Sequence, residues 1–330
     1  MMGIPSRSPR LSRLPPCVFP LLLAFVAAPV FAQPFPARPV RLVVGLGAGA
    51  QTDTIARLIG QKLSEGWGQP VVVDNRTGAG GVIAASMVAK AAPDGHTLLL
   101  LTSFAISAAL SPNLPYDPLK DFAGVAQVGF TTQALAAAPA WGVKSVKELI
   151  ALAQSQPGKI LYASGAAGLA SHLNGEKFRL AAGIKVVNVA FKGGSDVVIE
   201  TLAGRTQYCF AGLAPVLPFI KDGRLLVLAV NAPQRLPVLP DIPTLGETLP
   251  EFRKPESSSG MLAPANTPRP ILNQISKDIA RVINLPDMRE RLQAIGLTPA
   301  PSTPEEYDKI LREQIAALSK LVRDAGLRAK

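Results

Sequence analysis

The chain has 330 residues, 48% of them hydrophobic, which is enough apolar material for two domains with buried sheets. Its formal net charge is +11, which would attract anions or simply keep the surface solvated. An aromatic content of 5% and the lack of basic runs interleaved with aromatic residues argue against nucleic-acid binding. The two cysteines and two histidines show no CxxC or HxxxH spacing, so we predict no metal site.

Residues 1–32 have the pattern of an export signal. Arg7, Arg10 and Arg13 precede an apolar stretch at 17–30, and small residues precede a cleavage site after Ala32. Cleavage there lowers the net charge from +11 to +8, because it removes three basic residues and no acidic one. The apolar stretch is too short to span a membrane, and no later stretch is long enough. We therefore predict a periplasmic protein whose mature chain has no transmembrane span.

The segment 41–59 is the first candidate binding element. An apolar strand is followed by a glycine-rich loop at 45–50 and by an amphipathic helix, with Thr52 or Asp53 as the predicted helix cap. The first N–H groups of a helix have no partner inside it and lie at the positive end of its dipole, so such a loop binds anions without basic side chains. We expect Thr52 to assist and Asp53 to organise the loop. The donors predicted to bind the anion, a phosphate or a carboxylate, are the backbone N–H groups of Ala48, Gly49 and Ala50.

Two more units of strand, glycine loop and helix follow, at 71–91 and 160–182. Between them, the apolar strand 97–101 ends at two hydroxyl residues, Thr102 and Ser103. Ligands of open α/β sheets bind at the carboxyl ends of the strands, so these loops are predicted to share one anion site. The predicted contacts in the third loop are Ser164, Gly165, Ala166 and Gly168.

Two catalytic alternatives stay open. The loop at 45–50 matches the GxGxxA dinucleotide pattern, and Asp74 ends the next strand, although it lies 29 residues beyond Gly45 rather than about 20. Ser171 and His172 form an adjacent Ser–His pair, but the chain has no GxSxG motif. A tight turn and a helix cap are the plain alternatives. An exported enzyme therefore competes with a binding protein, and we predict no catalytic residue, no metal and no cofactor.

Strands alternate with helices along the whole chain, which predicts an α/β protein with mostly parallel sheets. The chain is expected to cross between two domains near 131–133 and to return after a proline-rich tract at 233–250. Cys209, the cysteine that remains after cleavage, is predicted to be a buried strand residue. Three helices are predicted to end the chain, at about 268–284, 286–295 and 304–325.

Several motifs resemble one family, the Bug-type solute receptors of tripartite tricarboxylate transporters. The segment 68–81, GQPVVVDNRTGAGG, is the most specific of them, and the resemblance covers the whole mature chain. The other motifs include APDG at 92–95, LPYDP at 114–118 and LPDIPT at 239–244. The resemblance implies a periplasmic-binding-protein type II fold, in which two α/β domains close on a ligand.

The resemblance also implies domain limits and partners. Domain 1 would comprise residues 33–133 plus 253–330, and domain 2 residues 134–252. Backbone amides and ordered water would hold a small organic anion, a carboxylate, in the cleft between them. The expected protein is a monomer that delivers its cargo to a tripartite membrane transporter or a sensor, without catalysis.

The sequence departs from the family pattern at places that bear on the ligand. The loop at 45–50 lacks the usual prolines and phenylalanine, and the strand at 207–212 lacks an aspartate. Phe191 stands where tyrosine is common. We predict that Phe191 and Ala211 line the site. Because the strand at 207–212 has no acidic residue that could bind an ammonium group, we expect the ligand to be a less polar carboxylate rather than an amino acid.

Overall fold

The computed structural model of the protein describes residues 3, 35–102, 104–111, 113–165, 169–191, 194–253 and 258–327, and for residues 194 and 195 the backbone alone. Apart from residue 3, the predicted export signal and its cleavage site after Ala32 lie outside these ranges. Within them, no helix combines the length and the apolar composition that crossing a membrane requires.

Strands and helices alternate along the chain, as predicted. The first part forms β1 (Val40–Val44), α1 (Gln51–Trp67), β2 (Val71–Asn75), α2 (Val82–Ala89), β3 (Thr97–Leu101), α3 (Phe104–Leu110) and β4 (Phe122–Thr131). The middle forms β5 (Gln133–Ala137), α4 (Val146–Ser155), β6 (Leu161–Gly165), α5 (Ala170–Ala181), β7 (Val187–Phe191), α6 (Gly194–Leu202), β8 (Tyr208–Gly212), α7 (Leu213–Lys221) and β9 (Leu226–Asn231). The last part forms α8 (Leu245–Thr248), β10 (Ser258–Pro264), α9 (Arg269–Ile283), α10 (Pro286–Ala294), β11 (Leu297–Pro299) and α11 (Pro304–Asp324). Short 3₁₀ turns lie at 79–81, 139–141 and 250–252.

The strands form two sheets, which we call the first and the second sheet. The first has the order β11-β4-β10-β3-β1-β2 and the second the order β7-β6-β8-β5-β9. The prediction of mostly parallel sheets is wrong, because β10 runs antiparallel to β3 and β4, and β5 runs antiparallel to β8 and β9. Strand direction cannot be inferred from apolar runs, which look alike in buried strands of either kind.

The chain passes from one sheet to the other at two places. β4 ends in the first sheet at Thr131, and β5 begins in the second sheet at Gln133, so one residue separates them. The return runs from β9 to β10 through the proline-rich tract. The domain limits at 133, 134, 252 and 253 stay a prediction.

Helices cover both faces of each sheet. On the first sheet, α1, α9 and α10 pack on one face and α2, α3 and α11 on the other. On the second sheet, α4 and α5 pack on one face and α6 and α7 on the other. Cys209 is fully buried in β8, as predicted, and this burial raises the pKa of its thiol to about 11. The thiol therefore stays protonated and packs as a small apolar group.

The beginning of α1 differs from the prediction. Its N-cap is Ala50, which makes no side-chain cap, so the prediction of Thr52 or Asp53 at this position is wrong. Asp53 lies in the first helical turn and reaches back, so that its Oδ2 accepts the N–H of Gly49 at 2.9 Å. The acid therefore stabilises the approach to the helix from inside the first turn.

Candidate functional site

A cavity of about 670 Å³ lies between the two sheets, where strands of both end. Thr131 at the end of β4 and Gln133 at the start of β5 lie in its wall. Ala211 and Gly212, at the end of β8, contribute from the second sheet. The crossing between the sheets therefore forms the floor of a cleft, which is where ligands of α/β sheets bind.

Asp53 organises the first glycine loop. Its Oδ2 accepts hydrogen bonds from the Gly49 N–H and from Arg57 Nε, both at 2.9 Å, and its Oδ1 accepts one from Asn75 Nδ2 at 3.0 Å. Burial raises the pKa of this carboxyl, but the hydrogen bonds from Arg57, Gly49 and Asn75 outweigh burial and leave the pKa below its ordinary value. Asn75 also donates to the carbonyl of Leu46 at 2.9 Å. The loop is thus fixed at Gly49 by the buried Asp53 and at Leu46 by the partly buried Asn75.

The two glycine loops of the first sheet pack directly against each other. A Cβ on Gly45 would lie 2.7 Å from the Cα of Gly81, so only glycine permits this approach. Both loops therefore line the same cavity: Leu46 belongs to the first loop and Ala79 to the second. Gln51, in the first turn of α1, lines it as well.

Hydroxyl groups mark the end of β3. Thr102 lines the cavity, and its Oγ1 lies 3.1 Å from that of Thr52, which is 1% exposed. Ser103 lies outside the described residues. α3, which follows, was not predicted from the sequence. Three of its residues line the cavity, Ile106, Ser107 and Leu110, and so does Ser111, the residue after the helix.

In the loop of the second sheet, the described polar groups of Ser164 and Gly165 have partners within the protein. Ser164 Oγ donates to the carbonyl of Gly165 at 3.0 Å and accepts from Asn188 Nδ2 at 2.8 Å. The N–H of Gly165 donates to Ser171 Oγ at 2.9 Å. Ser171 and its neighbour His172, at the start of α5, line the cavity. Ala166 and Gly168 lie outside the described residues.

The structure therefore brings together a different set of residues from the predicted one. Of the predicted contacts, Thr102 and Ala211 line the cavity. The N–H of Gly49 is donated to Asp53 and that of Ala50 to the carbonyl of Gly47, so both already have partners. Phe191 packs with the α6 and α7 side of the second sheet. The other predicted residues outside the lining set are Ala48, Thr52, Asp53, Ser164 and Gly165.

No lysine, arginine, aspartate or glutamate is among the described residues that line the cavity. The ionisable side chain in the wall is His172, and burial lowers its pKa below the ordinary value, while the negative charge of Glu176 opposes that change. Glu176 accepts hydrogen bonds from Tyr162 Oη at 2.5 Å and from Arg179 Nε at 2.8 Å. A buried acid is thus held one turn behind the histidine.

The geometry gives little support to the catalytic alternatives. Asp74 is engaged by Arg41 and Arg76, whose hydrogen bonds outweigh burial and lower its pKa, so it is not free to bind a ribose. Ser171 Oγ accepts the Gly165 N–H, and adjacent side chains on a helix point in different directions. In the part of the chain that the structure covers, no group of three or more His, Cys, Asp or Glu residues could hold a metal ion.

Comparison with known proteins decides the family. A family model described as tripartite tricarboxylate transporter family receptor matches residues 55–327. The chain belongs to this family. The receptor is 34% identical to protein BugT of Bordetella pertussis over 311 residues, which cover 93% of this chain and 95% of BugT. The predicted resemblance to Bug-type receptors is therefore confirmed, and the comparisons do not favour the enzyme alternative.

Solved structures agree with this assignment. A protein of R. palustris, solved with adipate, is 31% identical to the receptor with a TM-score of 0.76, and the match covers 89% of this chain and 99% of that one. MatC from Rhodopseudomonas palustris, solved with bound malate, is 31% identical with a TM-score of 0.71, and the match covers 87% and 100%. The predicted periplasmic-binding-protein fold, with two α/β domains, is confirmed.

Proposed function

We propose that the receptor works in the periplasm, captures a small organic carboxylate in the cavity between its two sheets, and delivers it to a tripartite membrane transporter without catalysis. Relatives that share this fold were solved with adipate and with malate, which are both carboxylates. A cavity volume of about 670 Å³ is sufficient for a ligand of this size.

The observation that carries the proposal is the chemistry of the cavity wall. Hydroxyl and amide groups reach it from both sheets, while no acidic side chain among the described residues is there to repel an anion. A carboxylate accepts hydrogen bonds from neutral donors, and such bonds to an ionised group are stronger than those between neutral groups. The proposed donors are Gln51, Thr102, Ser171 and His172, which line the cavity. Of the N–H groups predicted in the first loop, those of Gly49 and Ala50 donate within the protein, so the proposed donor there is the N–H of Ala48.

A panel of ligands tests the proposal. The melting temperature of the purified protein would be measured with mono-, di- and tricarboxylates, amino acids and NAD, because a ligand that binds only the folded state raises it. We expect a rise with at least one carboxylate and none with NAD. Thr102→Val, which keeps the side-chain shape but removes the hydroxyl, should lower the affinity for that carboxylate roughly tenfold. A rise with NAD alone would contradict the proposal.

A further inference from the structure

One polar side chain in the cavity wall is buried without a hydrogen-bond partner. Gln133, the first residue of β5, lines the cavity and is 6% exposed. Its Oε1 is shielded from solvent and accepts no hydrogen bond from any residue that the structure describes. Leaving a buried acceptor unpaired costs free energy, so unpaired acceptors are rare in folded proteins. The position therefore calls for a donor that the described residues do not supply.

The neighbouring strand carries a second amide in the same situation. Asn231 in β9 is the direct partner of Gln133 in the antiparallel ladder, so the two side chains lie on the same face of the second sheet. Asn231 is 5% exposed, and its Nδ2 donates to Oδ1 of Asn174 on α5 at 2.7 Å. The Oδ1 of Asn231 has no donor among the described residues. Two paired strand residues thus each carry a buried, unpaired amide oxygen.

Rotation of the Gln133 amide would relieve both oxygens. A turn of about 180° around the last side-chain bond exchanges Oε1 and Nε2, and this torsion is two-fold. The Cβ atoms of paired strand residues lie about 4.5–5.5 Å apart, so an N–H of Gln133 in the buried position is within reach of Asn231 Oδ1. Hydrogen bonds would then run from Gln133 through Asn231 to Asn174. The oxygen of Gln133 would take the other position, on the side of the cavity that this residue lines.

An amide oxygen in the cavity wall selects for a ligand that can donate a hydrogen bond. The oxygens of a carboxylate only accept, so a carboxylate cannot pair with it. A hydroxyl group on the ligand donates to it without adding charge. An ammonium group also donates, but beside a neutral amide its positive charge stays unpaired, and burying an unpaired charge is costly.

We propose that Gln133 determines specificity and that the cargo is a hydroxycarboxylate, whose hydroxyl donates to Gln133 Oε1 while its carboxylate binds the donors named above. This inference rests on the proposed function and deepens it, because those donors account for the carboxylate alone. The ligands of the relatives differ in this feature: malate carries a hydroxyl group, and adipate does not.

Matched pairs of acids test the inference. Each carboxylate that raises the melting temperature would be compared with the analogue that differs from it by one hydroxyl, as malate differs from succinate and lactate from propanoate. Calorimetry of the purified protein would give the dissociation constants. We expect the hydroxylated acid to bind at least roughly tenfold more tightly than its analogue. Aspartate, which carries an ammonium group where malate carries the hydroxyl, should bind more weakly than malate.

Removal of the amide should abolish this preference. Gln133→Met keeps the length of the side chain but has no amide, so the ratio of the two affinities should fall roughly tenfold, mainly through weaker binding of the hydroxylated acid. Gln133→Leu, a second apolar replacement of different shape, should act in the same way. Gln127→Met is the matched control. Gln127 in β4 is 2% exposed and its Oε1 also lacks a partner among the described residues, but it is not one of the residues that line the cavity, so the ratio should stay unchanged.

The outcomes separate the two proposals. An analogue without the hydroxyl that binds as tightly as the hydroxylated acid, or aspartate that binds more tightly than malate, overturns the hydroxycarboxylate inference and leaves the proposed function standing. A preference that persists in Gln133→Met and Gln133→Leu overturns the role of Gln133. If neither variant folds, the matched acids still decide the ligand class on the unchanged protein. Failure of every carboxylate to bind overturns the proposed function itself, and the inference with it.

Discussion

Two parts of the protein beside the cavity are held in place by different kinds of interaction. Around the first glycine loop, Asp53 and Asn75 hold the backbone at Gly49 and Leu46 through hydrogen bonds of 2.9 Å each. Where α3, α5 and α11 meet, these three helices, which are far apart in the sequence, bring apolar side chains into one cluster, which we call the helix cluster. The glycine loop is fixed by directional bonds, whereas the helix cluster depends on packing.

This difference predicts how each end responds to change. A buried polar group that loses its partner costs the full free energy of its desolvation, so changes around the glycine loop should act nearly all-or-none. Apolar burial is non-directional and scales with area, so changes in the helix cluster should be graded. The four predictions below test this contrast.

The largest effect is expected from Asp53→Ala. This change leaves the N–H of Gly49 without its acceptor and removes one of the two acceptors of the Asn75 amide, and it should lower the free energy of unfolding by about 3 kcal/mol. Urea unfolding measures it. Asp53→Asn, which keeps an acceptor oxygen but loses the charge beside Arg57, should cost less. Equal losses in the two variants would show that the charge, rather than the hydrogen bonds, organises the loop.

The next effect is expected from Gly45→Ala, because the new Cβ would lie 2.7 Å from Gly81 Cα and 2.5 Å from Leu101 Cδ2. The loops would have to move apart, at a cost of about 2 kcal/mol in unfolding free energy. Gly47→Ala is the control in the same loop, since its Cβ would meet nothing closer than 3.9 Å. If both variants unfold at the same urea concentration, close packing of the loops is not what fixes them.

The third prediction concerns His172, which lies where α5 meets the cavity. Burial lowers its pKa in the folded protein, and the negative charge of Glu176 offsets only part of this change. The unfolded chain therefore binds more protons than the folded protein once the pH falls below about 6.5. Other ionisable groups near this part of α5 include Arg179, Tyr162 and Tyr208, and α3 and α11 contribute apolar side chains to the adjoining cluster. The free energy of unfolding should therefore decrease from pH 7 to pH 5.

Two variants assign that pH dependence. His172→Gln should flatten the decrease, because the group that titrates is gone. His96→Gln, which removes the other histidine of the chain and keeps His172, should retain it. Unfolding in urea at several pH values checks both, and a decrease that persists unchanged in His172→Gln would contradict the assignment.

The smallest effect on stability is expected from Leu327→Ala. The side chain is half-buried, so its truncation should lower the free energy of unfolding by less than about 1 kcal/mol. Leu318→Ala is the comparison, because Leu318 is 1% exposed and lies in the cluster against which Leu327 packs. Its truncation should lower the free energy of unfolding by about 3 kcal/mol. Thermal unfolding would rank the two, and a larger loss for Leu327→Ala would contradict the graded response.

Local sequence was sufficient for most helices and strands. Ser145 accepts the N–H of Glu148 at 3.2 Å at the start of α4, and Thr303 forms a reciprocal cap with Glu306 at the start of α11. Both pairs have the spacing of a capping box, which can be recognised in the sequence. These are contacts between residues three positions apart, so neighbouring residues determine them. The same reasoning predicted that Asp53 organises its loop.

The composition of the cavity wall was not predictable in the same way. α3 has the sequence FAISAAL, which is short and has no clear polar face, and it lies against α11, which begins almost two hundred residues later. Leu327 reaches the cavity because one glycine turn after α11 places it there. The glycine N–H groups predicted to bind the anion are partly occupied by Asp53 and Gly47, which a motif cannot reveal.

The sequence by itself determined the export signal as a prediction, the α/β class, the family and the glycine loops, because these follow from composition and from short-range pattern. Only the tertiary structure decided that the sheets are mixed, that Gly45 and Gly81 serve loop packing, and that apolar side chains of α3 and α5 meet Leu327 in the cavity wall. The physical reason is that strand direction and cavity walls arise from contacts between residues distant in the chain, and such contacts leave no local pattern.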